Sequence, residues 1–202
     1  MARNIHIGDG SLELDIREDV RFLSDEWPSD NGALIDVIIV AESWDTPLID
    51  DFRARGPVML DHIAARLSID PKRVSLLLCN DEDMRAMNNI YRGVDKATNV
   101  LAFPADDDSK NAGDLPAQEV TIGDIAIAAE TVTFEASEAG IAAGDHLLHL
   151  FTHGTLHLLG YDHEEESLAA EMEGLEIELL AQMKIASPYH SDDPIFDMRE
   201  IE

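Results

Sequence analysis

The stretch HGTLHLLGYDH, from His153 to His163, contains three histidines at a spacing that suits a metal site. His153 and His157 are four residues apart in an apolar segment with the pattern of a helix, so their side chains lie one turn apart on the same face. Gly160 allows the chain to leave the helix and to return His163 towards the other two histidines. Because three protein ligands leave one coordination position open for water, the pattern predicts a catalytic zinc site rather than a structural one.

Two further histidines precede this stretch on the predicted helix. His149 lies four residues before His153, and the ends of the stripe from His149 to His157 are about 12 Å apart along the axis, too far for one ion. His149 would be an awkward replacement for His163 on a straight helix, so we expect it to pack beside the site or to support a ligand. His146 is expected at the surface or in the first helical turn.

A carboxylate beside a ligating histidine can fix the orientation of its ring, and Asp162 is the best candidate for this role. The reaction class follows from the open metal position, since a bound ion lowers the pKa of water to about 7 and polarises carbonyl or phosphoryl oxygens. We therefore predict hydrolysis. Zinc peptidases place a glutamate directly after the first histidine as the general base, whereas this chain has Gly154 there. The glycine disfavours a peptidase without excluding one, because another carboxylate could take the role.

Positive charge is scarce in this chain, although a phosphate substrate favours a cation near the metal. The sequence has 14 lysines and arginines against 42 aspartates and glutamates, which gives a formal net charge of −28. Arg85, Arg92 and Lys96 lie in one stretch, and the two arginines are about two turns apart on one helix face. The planar guanidinium suits phosphate, but a surface ion pair with Asp81 or Asp95 is an equally good interpretation of the sequence.

The rest of the chain mixes strand and helix patterns, which indicates an α+β fold. Apolar, β-branched runs predict strands at 35–41, 74–79, 99–103 and 123–128. Spacings of three and four residues predict helices at 47–67, 81–91, 129–139, 144–159 and 165–183. Gly56 and Pro57 favour a kink in the first helix, and 106–118 reads as a polar loop.

Length and composition bound the domain organisation. The chain has 202 residues, of which 45% are hydrophobic, enough for one domain with its own core. We expect residues 1–33 to be an acidic, loosely ordered N-terminal extension, 34–185 a metal-dependent hydrolase domain and 186–202 an acidic C-terminal tail. The single cysteine, Cys79, has no disulfide partner and reads as a core residue. No apolar run has the length of a membrane span, so we expect a cytoplasmic protein without membrane association.

Three segments resemble the YbeY family of metal-dependent endoribonucleases, in the order in which the family has them. They are MNNIYRGVDKATNVLAFP (Met87 to Pro104), IGDIAIAAETV (Ile122 to Val132) and HGTLHLLGYDH (His153 to His163). The similarity covers about residues 34–183, and the histidine motif is specific. The chain has Asn99 and Ala102 where family members often have Asp and Ser, and neither residue belongs to the ligand set.

The resemblance implies a zincin-like α+β domain in which a small mixed sheet packs against helices. It implies that His153, His157 and His163 bind one Zn²⁺ per chain, and that Arg92 is the functional arginine near the metal. It also implies a single-strand-specific endoribonuclease that acts in maturation of the small-subunit rRNA 3′ end and in ribosome quality control. The small ribosomal subunit and ribosome-associated proteins would be its partners. Because the chain is strongly acidic, we expect weak binding to free RNA and activity that depends on a partner.

Two other functions fit the same residues. A ribosome assembly factor would use the metal mainly for structure; His153→Ala would then unfold the protein, and loss of Arg92 would have no effect. A metallopeptidase or another hydrolase would use the same ion on a different substrate, and peptide turnover that a chelator abolishes would identify it. The sequence is compatible with either water or an RNA 2′-hydroxyl as the nucleophile.

Overall fold

A computed structural model of the chain describes residues 3–7, 10–14, 23–70, 72–105, 121–163 and 165–189. The strands are β1 (Arg3–Ile7), β2 (Gly10–Leu14), β3 (Leu23–Pro28), β4 (Leu34–Ile39), β5 (Arg73–Cys79), β6 (Val100–Pro104) and β7 (Thr121–Ala128). The helices are α1 (Thr46–Leu67), α2 (Asp81–Arg92), α3 (Ala129–Ala139), α4 (Ala143–Leu158) and α5 (Glu166–Gln182). The predicted loop at 106–118 and the tail beyond residue 189 lie outside these ranges.

Five strands form one mixed sheet in the order β3-β4-β5-β7-β6. β5 pairs in parallel with both β4 and β7, whereas the two edge strands, β3 and β6, are antiparallel to their neighbours. β1 and β2 form a separate antiparallel pair. The expected α+β architecture, with a small mixed sheet packed against helices, is confirmed. No helix in the described part of the chain is both long and apolar enough to cross a bilayer.

The helices cover both faces of the sheet. Alternate residues of β5 belong to two cores: Leu76 and Leu78 pack with residues of α1, α4 and α5, whereas Leu77 and Cys79 pack with Met84 and other residues of α2. α4 is the most enclosed helix, since every residue from His146 to Leu156 is buried. The histidine stretch therefore lies on a helix packed into the larger core.

The sheet begins earlier than the predicted domain boundary at residue 34. β3 pairs with β4 over its whole length, and its Trp27 is buried with its ring 6.1 Å from that of Phe52 on α1. Part of the segment that we expected to be loosely ordered thus contributes to the sheet and the core. Exposure alternates along this edge strand, with Trp27 on the buried face. Its sequence (LSDEWP) has three polar residues in a row, so no regular alternation reveals the strand in an acidic segment.

The first helix also differs from the prediction, because α1 continues through Gly56 and Pro57 to Leu67 without interruption. Close packing explains why a glycine stands at position 56. A Cβ at this position would lie 3.0 Å from the Phe52 ring and 3.1 Å from Ile35 on β4, so the glycine allows α1 to approach the sheet closely.

Candidate metal centre

The structure brings the three predicted ligands together. One nitrogen from each of His153, His157 and His163 lies within 4.8 Å of the other two, the only such group of histidine, cysteine or acidic residues found among the described residues. The Nε2 atoms of His153 and His157 are 2.9 Å apart. His163 completes the cluster, with its ring centroid 4.9 Å from that of His157 and 5.4 Å from that of His153.

The turn that follows α4 places His163. Gly160 has φ +92°, in the left-handed region that favours glycine. The backbone N–H of Tyr161 donates to Leu156 O at 3.1 Å, which folds the chain back over the last helical turn. The carboxylate of Asp162 then accepts a hydrogen bond from the backbone N of His163 at 2.6 Å. The predicted role of Gly160 is therefore confirmed.

Hydrogen bonds fix the tautomers of two ligand rings. Nδ1 of His153 lies 2.8 Å from Oε1 of Glu176, and Nδ1 of His157 lies 3.0 Å from the carbonyl oxygen of Tyr161. Because a carbonyl and a carboxylate only accept, each Nδ1 carries a proton, and in the neutral ring Nε2 then keeps its lone pair. Both lone pairs face the space shared with His163. This donor set fits a zinc-like ion, which binds imidazole nitrogens at about 2.0–2.1 Å.

Burial favours the neutral form of His157. The pKa of His157 is lowered to about 4 by burial and by the neighbouring His153 and His163 rings, against a smaller opposite effect of its hydrogen bond to the Tyr161 carbonyl. His157 is therefore neutral at pH 7. Since a metal ion binds only the unprotonated imidazole, no proton has to be displaced from this ring at neutral pH.

Glu176 on α5 supports the site and was missed in the sequence. Its fully buried carboxylate accepts hydrogen bonds from Nδ1 of His153, from Nε2 of His149 at 3.1 Å and from the hydroxyl of Tyr189. Burial raises the pKa of Glu176, but the hydrogen bonds from His149 and His153 outweigh it and hold the pKa well below its usual value. The carboxylate is thus charged, and it orients the His153 ring, the role that we assigned to Asp162.

A signal for Glu176 was present in the sequence. Its neighbours at helical spacing, Met172, Leu179 and Leu180, are all buried, so Glu176 stands in an apolar stripe, where a carboxylate needs partners. The expectation for His149 is met, since it shares Glu176 with His153. Of the two positions expected for His146, the first helical turn is confirmed, since α4 begins at Ala143, and the surface is wrong. His146 is 1% exposed, and its Nε2 lies 2.7 Å from a carboxylate oxygen of Glu135 on α3, which packs over the start of α4.

Gly154 lies against the sheet. A Cβ at this position would be 3.2 Å from two atoms of Ile125 on β7. The position at which zinc peptidases carry their catalytic glutamate therefore points into the core here, with no space for a longer side chain. α4 does not supply a general base in the way that a peptidase helix does.

The predicted basic residues lie on the other side of the sheet. Arg85 forms a two-point ion pair with Asp95, with N–O distances of 2.6 and 2.7 Å, so the surface-pair interpretation is confirmed for this residue. Arg92 is the exposed last residue of α2, and no hydrogen bond or ion pair is found for it among the described residues. α2, which carries Arg92, and α4, which carries His153 and His157, pack on opposite faces of the sheet.

Fold and histidine cluster together define an α+β protein with a candidate metal centre on its central helix. The family model described as Endoribonuclease YbeY matches residues 45–184. Proteins named Endoribonuclease YbeY include one from Rhodospirillum rubrum, 52% identical over 121 residues (59% of each chain), and one from Allorhizobium ampelinum, 40% identical over 168 residues (80% of this chain and 97% of the relative). The chain belongs to the YbeY family.

A solved structure is also similar to this chain. The solution structure of TM1509 from Thermotoga maritima is 21% identical in sequence, with a TM-score of 0.47, and the match covers 74% of this chain and 91% of that one.

Proposed function

We propose that this chain is a zinc-dependent, single-strand-specific endoribonuclease, with the ion held by His153, His157 and His163. The observation that carries the proposal is the convergence of the ligand nitrogens, with two rings fixed through Nδ1. Several relatives named Endoribonuclease YbeY are similar over most of this chain, which supports RNA as the substrate class.

A bound zinc ion would supply an acidified water and a polarised phosphoryl oxygen. The protein's own residues prepare the site for it. Glu176 holds the ring of His153, and the Tyr161 carbonyl holds that of His157. We assign Arg92 to a phosphate of the RNA, because its guanidinium is exposed, permanently charged and without an ion pair among the described residues. Arg85, which is paired, is not assigned a role.

The biological substrate proposed is the 3′ end of the small-subunit rRNA, with the small ribosomal subunit and its associated proteins as partners. The net charge of −28 supports the need for a partner, because a chain so acidic is repelled by free RNA at long range. Nanomolar binding of arbitrary RNA by this chain alone at physiological salt would contradict this part. The cytoplasmic location and the C-terminal domain boundary at 185 stay predictions.

The first test is the metal content of the purified protein and of His157→Ala, measured by elemental analysis. We expect about one zinc per wild-type chain and none in the variant, with far-UV circular dichroism unchanged. No metal in either protein after zinc reconstitution would overturn the metal centre.

The second test is cleavage of single-stranded RNA by the zinc-loaded protein. Arg92→Ala should lose most of the activity, whereas Arg85→Ala, on the same helix, should retain it. Equal activity of both variants would remove Arg92 from the mechanism. A zinc-loaded wild type that does not cleave RNA, but whose His153→Ala variant unfolds, would favour the assembly-factor alternative instead.

A further inference from the structure

A cleft of about 370 Å³ lies between the C-terminal half of α2, the loop that follows it and α3. Its lining includes Asn88, Lys96, Thr98, Asn99, Phe134 and Glu135. The volume is near the lower end of the range for small-molecule sites, about 300–1,000 Å³. None of these residues takes part in the histidine cluster.

The floor of the cleft holds two buried polar atoms without hydrogen-bond partners among the described residues, Oδ1 of Asn88 and Oγ1 of Thr98. The two residues are only 3% and 5% exposed. Nδ2 of Asn88 donates to the carbonyl oxygen of Lys96 at 2.8 Å, which fixes the amide so that its oxygen is left as an acceptor. Buried polar groups are nearly always satisfied. The amide oxygen of Asn88 can only accept, so it points to a ligand that donates a hydrogen bond, and the hydroxyl of Thr98 can accept from the same ligand.

One wall of the cleft is aromatic and its mouth is positive. Phe134 is 65% exposed, an unusual position for a large apolar ring. Lys96 is exposed, and Arg92 lies four residues after Asn88, on the same face of α2. Lys96 lines the cleft, and Arg92 adds positive charge beyond the lining, so the pair favours a ligand that carries a phosphate outside the cleft.

Negative charge inside the cleft favours an uncharged group there. The carboxylate of Glu135 accepts from Nδ2 of Asn99 at 3.1 Å and contacts the His146 ring, and the carboxylate of Asp81 accepts from the hydroxyl of Thr131 at 2.8 Å. A phosphate in the interior would face both acids. A neutral, planar, donor-bearing ligand with a phosphate at the mouth satisfies all of these groups, and a nucleotide has this distribution.

We propose that this cleft binds one unpaired nucleobase of the RNA substrate, stacked on Phe134, with its amino group donating to Asn88 and Thr98. The inference rests on the proposed function and adds a specificity-determining subsite to it. Adenine and cytosine carry an exocyclic amino donor where uracil carries a carbonyl acceptor, so the subsite prefers amino-bearing bases. A base within a duplex has its amino group paired and its faces stacked, so the cleft selects single strands.

Glu135 connects this subsite to the metal centre. It lines the cleft and also contacts His146, which lies seven residues before His153 on α4, or about 10 Å along the axis. The cleft therefore lies at the start of the helix that carries the ligands, near enough for one RNA strand to reach both sites.

The test is a titration of the isotopically labelled, zinc-loaded protein with CMP, UMP and ribose 5-phosphate, followed by two-dimensional NMR. We expect the backbone amide of Thr98 and the side-chain amide of Asn88 to shift, with CMP binding roughly 2- to 10-fold more tightly than UMP. Phe134→Ala should weaken both nucleotides by about 5- to 150-fold and leave ribose 5-phosphate unchanged. Ile177→Ala, a control at an exposed apolar residue of α5, should change nothing.

Thr98→Val removes one acceptor and should reduce the preference for CMP without abolishing binding. CMP shifts that are confined to the histidines, or that Phe134→Ala does not affect, would overturn the subsite while RNA cleavage still supports the proposed function. Nucleotide binding at the cleft in a protein that does not cleave RNA would support the subsite and contradict the proposed function. Tighter binding of an arginine-containing peptide than of CMP at the same amides would assign the cleft to a protein partner and refute the proposal.

Discussion

Replacing Glu176 by glutamine should weaken zinc binding while leaving every metal ligand in place. The carboxylate accepts three hydrogen bonds, from His149, His153 and Tyr189, and is fully buried. Glutamine has nearly the same size but only one acceptor oxygen and no charge. If that oxygen stays on His153, its amide nitrogen faces the other two groups, so the surrounding hydrogen bonds must rearrange.

The expected loss can be worked out from these contacts. A hydrogen bond to a charged group contributes about 1.5–3 kcal/mol and a neutral one about 0.5–1.5 kcal/mol, so neutralising the acceptor costs the His153 ring about 1–2 kcal/mol. That corresponds to roughly 5- to 30-fold in affinity. Looser orientation of the ring adds to this, and substitutions of such supporting groups typically cost about 10- to 100-fold. We expect Glu176→Gln to fall in this range.

The assay is competition between the apo-protein and a chromogenic zinc chelator at neutral pH. Glu178→Gln is the matched control, since it removes the same charge from the same helix at an exposed residue that pairs with Arg66. Circular dichroism and thermal unfolding check that both variants are folded. An unchanged zinc affinity in folded Glu176→Gln would refute a supporting role for this carboxylate, and an equal loss in the control would attribute the effect to overall charge.

Three further predictions concern stability. Thr98→Val should leave the free energy of unfolding in urea unchanged or raise it by about 1–3 kcal/mol. The reason is that it removes a buried hydroxyl without a hydrogen-bond partner among the described residues. A clear loss of stability would mean that the hydroxyl is satisfied. Burial lowers the pKa of His146 despite its contact with Glu135, and the nearby His149 lowers it further. The unfolded chain therefore binds a proton more readily, and stability should fall as the pH drops below about 6.5; the slope should be shallower in His146→Phe, and equal slopes would exclude this histidine as the source. Gly154→Glu should lower the unfolding midpoint by several degrees, since its Cβ would lie 3.2 Å from Ile125 on β7 and its carboxylate would be buried in the core. A stable variant with peptidase activity would contradict this packing argument.

The helices were predicted to within a residue or two because capping residues close in sequence determine where they begin and end. Asn80 caps α2 through a hydrogen bond from the Asp83 backbone to its side chain at 2.7 Å. Gly93 and Gly140 end α2 and α3 with φ of +71° and +66°, the left-handed conformation that glycine adopts without strain. The convergence of the three histidines was likewise predictable, since i, i+4 spacing and a glycine turn are both local features.

The features that were missed depend on contacts distant in sequence. β3 is a strand because it pairs along its length with β4 and packs Trp27 against α1, not because its own residues favour a strand strongly. Glu176 is 23 residues from His153 and belongs to an acid-rich helix; only the packing of α5 on α4 shows which of these acids is buried. Asp162 was the obvious candidate because proximity in sequence is all that a single sequence shows.

The placement of charge around the histidines reconciles an acidic chain with an anionic substrate. The one carboxylate of the α4 sequence, Asp145, lies at its start and pairs with Arg55, and Gly154 leaves α4 without an acid next to His153. Glu176 contacts His153 through Nδ1, on the side of the ring away from the shared Nε2 lone pairs. With neutral imidazoles, an ion at the cluster would present its positive charge away from this buried acid. A phosphodiester approaching that open side would meet the cation first, which favours a phosphate substrate over a reaction that needs a carboxylate base.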